Sequence, residues 1–116
     1  MNIQDLIKKY PEMLGKVYWG IECNNGWYKV LDELLGKIQA HTTDNSETPI
    51  DVLQIKEKFG GLRFYYSGGD NYIAELVRFA EMECEKTCEI CSAPGTMRDD
   101  GWAKVRCDSC MEKEND

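Results

Sequence analysis

Residues 88–110 read CEICSAPGTMRDDGWAKVRCDSC, a segment that opens on one C-x-x-C pair and closes on another. Fifteen residues separate Cys91 from Cys107, a spacing at which two cysteine knuckles grip one tetrahedral ion. Within a knuckle, two intervening residues let both sulfurs reach the ion at about 2.3 Å while backbone N–H groups point at them. Cys88, Cys91, Cys107 and Cys110 are therefore the predicted ligands of one structural Zn²⁺. Pro94-Gly95 turns the chain away from the first knuckle, and Asp99-Asp100-Gly101 offers a second turn between TMR and WAKVR. That arrangement predicts a small hairpin and hence a C-terminal zinc ribbon.

Three other readings of these cysteines fit less well. A thioredoxin-like redox site needs one C-x-x-C at a strand-to-helix junction, whereas here there are two pairs and the first follows a helical pattern. Disulfides are disfavoured in a reducing compartment. The N-terminus MNIQDLIKKYPEML has charges at Asp5, Lys8, Lys9 and Glu12 where a signal peptide needs an apolar run. No stretch approaches the roughly 18 apolar residues of a membrane span, so the expected location is the cytoplasm. Catalytic zinc keeps a position open for water and often uses histidine. Four cysteines fill the shell, so no enzyme is expected.

A chain of 116 residues with 42% apolar side chains fits one domain. The expected division is an α+β body over residues 1–87, the cysteine module over 88–110 and an acidic flexible tail over 111–116. Upstream, Ile3, Leu6, Ile7 and Tyr10 recur at helical spacing behind Asn2 and predict a first helix that stops or bends at Pro11. The glycine-containing stretch that follows reads as a loop with Trp19 and Ile21 turned into the core. A second helix is expected from about Trp27 to Gln39, with Trp27, Val30, Leu31, Leu34, Leu35 and Ile38 on one stripe. Residues 42–49 read as a surface loop.

The periodicity then becomes that of strands. DVLQIKEKF and LRFYY flank Gly60-Gly61, and with those glycines as the hairpin turn Phe59 faces Leu62, Ile55 faces Tyr66, Lys58 faces Arg63 and Lys56 faces Tyr65. A third helix, NYIAELVRFAEMECEKT, is capped by Asp70 or Asn71 and buries Ile73, Leu76, Val77, Ala80 and Cys84. The expected fold class is thus α+β: three helices packed on a short antiparallel hairpin, with the four-cysteine zinc ribbon at the C-terminus. Cys23 and His41 are 18 residues apart with nothing to bring them together, so packing is expected for the cysteine and a helix-end dipole contact for the histidine.

Charge is unevenly spread. The formal total is −7, and residues 81–116 carry five basic against ten acidic side chains. Such a surface repels phosphate and attracts basic partners. One basic stripe runs against the trend: Lys56, Lys58 and Arg63 with Tyr65, whose like charges across a ladder destabilise it and invite a phosphate contact or simply protect a strand edge.

The segments WGIECNNGWYKVLDELL, VLQIKEKFGGLRFYYSGGD, CEICSAPG and CDSC resemble a widespread group of small phage and prophage proteins. As a small acidic chain with a zinc site, it is also similar to zinc-bearing anti-CRISPR inhibitors of the type II effector nuclease. That resemblance implies a protein partner whose positively charged nucleic-acid channels would be occluded and whose loading with target DNA would be blocked. The corresponding contact surface is Glu75, Glu81, Glu83 and Glu85 on the third helix with Glu89, Asp99, Asp100 and Asp108 on the ribbon, and Trp102 as aromatic anchor. Acidic residues are also the ordinary solvated surface of a small domain. The competing class is a nucleic-acid-binding zinc ribbon, a phage accessory or transcription regulator, using Lys56, Lys58, Arg63 and Tyr65 with Lys104 and Arg106.

Overall fold

The structure, a computed structural model, describes residues 1–99 and 101–115. Its first apolar repeat forms two short helices, α1 (Asp5–Lys9) and α2 (Pro11–Leu14). The break falls at the predicted proline, which has no N–H to donate and starts the second helix as its first residue. Ile21 is buried as expected, but Trp19 is 90% exposed. Gln4 explains the difference: its amide donates to the Ile21 carbonyl at 2.7 Å and accepts from the Ile21 N–H at 2.8 Å. Those two bonds pin Ile21 inward after a left-handed turn at Gly20 (φ 80°), leaving Trp19 on the outside.

A short 3-10 turn over Asn25–Trp27 leads into α3 (Tyr28–Asp44). The predicted stripe faces the core, with Val30 half-buried at its margin. The helix runs five residues past its expected end at Gln39, through part of the expected 42–49 loop. Thr42 is buried, and the helix ends only at Asn45 and Ser46, the latter in the left-handed region (φ 52°). Across the α1–α2 break, the Tyr10 hydroxyl donates to Asp32 Oδ1 at 2.6 Å and Lys9 Nζ lies 2.9 Å from the same atom. Burial works against the Asp32 charge, but these two donors outweigh it and hold the carboxyl below its ordinary range. Tyr10→Phe is expected to cost about 1 kcal/mol by urea unfolding, a charged hydrogen bond discounted for partial solvation. Because the folded carboxyl titrates lower than the unfolded one, this contribution is complete above about pH 4 and is lost as pH falls further. The gap between Tyr10→Phe and the parent should close at low pH.

Strands β1 (Asp51–Lys58) and β2 (Gly61–Ser67) form an antiparallel pair. Its turn is Phe59-Gly60, both at positive φ (55° and 83°), and not Gly60-Gly61. Lys58 therefore pairs with Gly61, Lys56 with Arg63, Ile55 with Phe64 and Gln54 with Tyr65. Phe59 is exposed, not opposite Leu62. The shift moves each pairing by two positions in total, so the side chains from Gln54 to Lys58 and from Leu62 to Tyr65 keep their predicted faces. In this turn the Gly60 N–H donates to Glu57 Oε2 at 2.7 Å, and a Cβ on Gly60 would strike the Met97 side chain. A bulge between Val52 and Gln54 turns Leu53 outward.

Helix α4 (Asn71–Cys84) begins at Asp70, whose Oδ1 accepts from the Ile73 N–H at 3.1 Å. It buries Ile73, Val77, Ala80 and Cys84 against α3 and β2, with Leu76 half-buried beside them. A second antiparallel hairpin follows, β3 (Thr96–Asp99) with β4 (Ala103–Arg106), and the chain continues into α5 (Asp108–Asn115). The α+β class holds, with five α-helices among the described residues instead of three. The expected flexible tail from residue 111 is helical through Asn115, because the Cys107–Cys110 turn starts a helix and Glu114 ties it back to Arg106 at 3.1 Å and Lys104 at 3.3 Å. No helix among the described residues is long and apolar enough to cross a membrane.

Candidate metal centre

The first knuckle follows α4 through a tight loop in which Cys88 N–H donates to the Ala93 carbonyl at 2.8 Å and Ser92 N–H to the Cys88 carbonyl at 3.0 Å. Ser92 sits in the left-handed region (φ 74°). The second knuckle opens α5, where Cys110 N–H points at Cys107 Sγ from 3.4 Å in the manner of a helix cap. The hairpin between them carries the chain from one knuckle to the other. All four sulfurs then lie within 4.8 Å of one another. Cys91 Sγ is 3.6 Å from Cys107 Sγ, against the roughly 3.8 Å edge of a tetrahedron with ligands at about 2.3 Å. That separation is far beyond a sulfur–sulfur bond, and all six cysteines are free. Cys88 and Cys110 are buried while Cys91 is exposed, so the cluster sits at the surface with two ligands facing in.

Its electrostatics suit a cation. Burial opposes ionisation of Cys88, yet backbone N–H groups of Cys107, Cys91 and Ile90 outweigh it and bring the thiol down to about 7. Cys110 is pushed up to about 12 by burial and by the neighbouring sulfurs. A divalent ion at their centre would supply the counter-charge that holds all four as thiolates. Cys84 and Cys23 are different: burial raises both thiols well above their ordinary range, and Cys84 is the predicted core residue.

The module is fastened to the body by contacts that the spacing does not reveal. Gly26 N–H donates to the Glu89 carbonyl at 2.7 Å, Asn24 N–H to Glu89 Oε2 at 3.0 Å, Trp27 Nε1 to the Thr87 carbonyl at 2.9 Å and Ser92 Oγ to the Gly26 carbonyl at 2.6 Å. Val105 joins the main core. A Cβ on Gly26 would collide with backbone atoms of Cys88 and Glu89, and backbone cannot rotate away. Gly26→Ala is therefore expected to lose about 3 kcal/mol in denaturant unfolding.

Comparison with protein-family models, curated proteins and solved structures finds no match to this chain.

The predicted acidic contact surface is dispersed. Glu89 is 4% exposed and paired with Arg106 at 3.3 Å, so it is an internal anchor and not a surface charge. Asp108 is exposed but bound by Arg98 at 2.7 Å. Glu81 and Glu83 flank opposite sides of the buried α4 stripe, Glu81 toward Arg63 and Glu83 toward Lys37 on α3. Glu75 lies 3.7 Å from Arg78, and Glu85 and Asp99 are exposed. Asp100 lies outside the described residues. Trp102 is exposed, beside Phe59 at the junction of the two hairpin tips.

Among the basic residues, Lys56 directly opposes Arg63, and among the described residues neither they nor Lys58 carry an ion pair. Lys58 Nζ lies 5.5 Å above the Phe59 ring. Lys104 and Arg106 are both engaged by Glu114, and Arg106 is buried. Cys23 and His41 have different neighbours: Cys23 lies near Cys84 and Glu89, His41 against Asp70 and Tyr72. Sequence reading missed a group of exposed side chains, Tyr18, Trp19, Leu53 and Tyr65, around one groove of about 490 Å³. No local signal marks it, since its members come from a loop and two strands.

Proposed function

We propose that this chain is a non-catalytic binding protein whose four cysteines hold one structural Zn²⁺, and that it acts by covering a surface of a protein partner. Thiolate-only, tetrahedral-sized coordination suits zinc, and the two knuckles with their intervening hairpin then constitute a zinc ribbon. The observation that carries the binding reading is the groove formed by Tyr18, Trp19, Leu53 and Tyr65. Tyrosine and tryptophan dominate the energetics of protein interfaces, and a core that points a tryptophan outward forgoes about 2 kcal/mol or more of burial. The groove is nearly neutral: Lys16 is paired with Asp51 at 3.1 Å, and Glu22 also lines it.

The finer form of the proposal is a phage-encoded inhibitor acting inside a bacterial host on a type II CRISPR effector nuclease. Its support is the net charge of −7, which favours encounter with the basic lobes that grip guide and target. Pull-down against the purified effector, followed by target-DNA loading, tests it. Association with loss of loading is expected. Trp19→Ala with Tyr65→Ala should weaken association by about 30-fold or more while metal content and melting temperature stay unchanged. An effector that neither binds nor loses loading removes the inhibitor reading.

A second reading, nucleic-acid binding through the outer face of the β1–β2 sheet, is favoured by Lys56 and Arg63, which face each other beside Tyr65 and form no ion pair among the described residues. Mobility shift of single-stranded DNA and RNA at low salt separates the two. A shift abolished by Lys56→Glu supports this second reading, and its absence removes it.

A further inference from the structure

We infer that His41, Glu47 and Asp70 form a second divalent-cation site, one that takes a transition ion such as Zn²⁺ through the imidazole Nε2 and two carboxylate oxygens. The three residues come from the last turn of α3, the loop after it and the cap of α4, so only the folded chain assembles them. Nε2 lies 2.8 Å from Asp70 Oδ2 and 3.9 Å from Glu47 Oε1, and the donor atoms all fall within 4.8 Å of one another. Cis ligands about 2.0–2.2 Å from an ion stand roughly 3 Å apart, so the cluster needs only small side-chain adjustments.

Two features separate it from a chance meeting of surface charges. Its nitrogen donor is held in orientation, because the imidazole stacks on Tyr72 with ring centroids 4.4 Å apart and planes 10° from parallel. Asp70 is held through its other oxygen, since Oδ1 is engaged by the Ile73 N–H and Oδ2 is left for the cluster. Fixed orientation of ligands by partners outside the coordination shell is what metal sites require. The local field also favours a cation, because His41 lies in the last turn of α3, where the helix dipole is negative, and Asp44 adds a third carboxylate nearby. One nitrogen and two oxygens select a borderline transition ion over Mg²⁺ or Ca²⁺, and three protein ligands leave positions for water.

Without metal, Nε2 donates its proton to Asp70, and Nδ1 faces Asn45 Nδ2 at 3.2 Å. Metal on Nε2 moves that proton to Nδ1. The Asn45 contact to Nδ1 then gives way, while Asn45 keeps its 2.8 Å bond to the His41 carbonyl.

Equilibrium dialysis of the full chain against Zn²⁺ at about pH 7, followed by elemental analysis, tests the site. Each of His41→Gln, Glu47→Gln and Asp70→Asn is expected to bind one equivalent less than the parent. The difference reads this site whether or not the cysteine cluster is loaded. Asp70→Asn is the decisive variant, because asparagine caps a helix as well as aspartate does and the fold is kept. Nitrogen NMR supplies a second readout: the His41 Nε2 resonance should move on adding Zn²⁺ to the parent. Equal zinc content in the parent and all three variants, or an unmoved resonance, overturns the proposal.

Discussion

Stripping the metal with a chelator, or replacing Cys88 and Cys107 together by serine, is expected to lower the melting temperature by more than about 10 °C and to abolish binding of one equivalent of Zn²⁺. The size follows from how little else holds the module. Its strands are four residues long, and an isolated two-stranded hairpin is marginal in water. Of the side chains on its two strands only Val105 and Arg106 are buried. Zinc-finger peptides draw about 10–16 kcal/mol from their ion. Here the docking contacts around Gly26 and Glu89 already supply part of the order, so a loss of about 3 kcal/mol is the reasonable floor. For a chain of this size each kcal/mol moves the midpoint by roughly 4 °C. Calorimetry with and without chelator reads the shift, and metal analysis reads the stoichiometry. An unchanged melting curve with no bound metal would reduce the cluster to four packed thiols.

The four-cysteine cluster was legible because cysteine spacing is a local property: two residues make a knuckle and fifteen make room for a hairpin, whatever the rest of the chain does. The buried stripes of α3 and α4 were legible for the same reason, since a 3.6-residue period needs no partner to be recognised. What escaped depends on contacts distant in sequence. Phe59 stands in the turn at positive φ, and the Gly60 beside it packs under Met97, 37 positions away. Trp19 points outward because Gln4 holds Ile21. The hidden role of Glu89 is the sharpest case. Acidic residues are almost never fully buried unless paired, so a glutamate between two cysteines reads as surface. Only the fold brings Arg106, 17 residues on, across from it. An acidic C-terminus likewise reads as a tail until Glu114 meets the two basic residues of β4.

Glu89 is for that reason the position at which one substitution should separate the metal module from the body. Its carboxylate bridges two elements, with Oε1 accepting from Arg106 Nη1 at 3.3 Å and Oε2 from Asn24 N–H at 3.0 Å. The side chains of the Glu89–Arg106 pair are 5% and 9% exposed. Removing one partner of a buried pair costs about 3–5 kcal/mol, chiefly because the other charge is left behind in a dry site. Glu114, a third exposed and 3.1 Å from Arg106 Nε, relieves part of that, so Glu89→Ala is expected at the lower end, about 3 kcal/mol. Glu89→Gln keeps the shape and an acceptor for Asn24, and about half the loss should return. The double variant Glu89→Leu with Arg106→Met should be milder than the single alanine, since an apolar pair of similar volume carries no stranded charge. Chelator competition adds an independent reading: a loosened module should surrender its metal faster in Glu89→Ala than in the parent. If Glu89→Ala unfolds like the parent, the backbone bonds around Gly26 and Ser92 carry the docking by themselves, and the charge pair is only compensated for being buried.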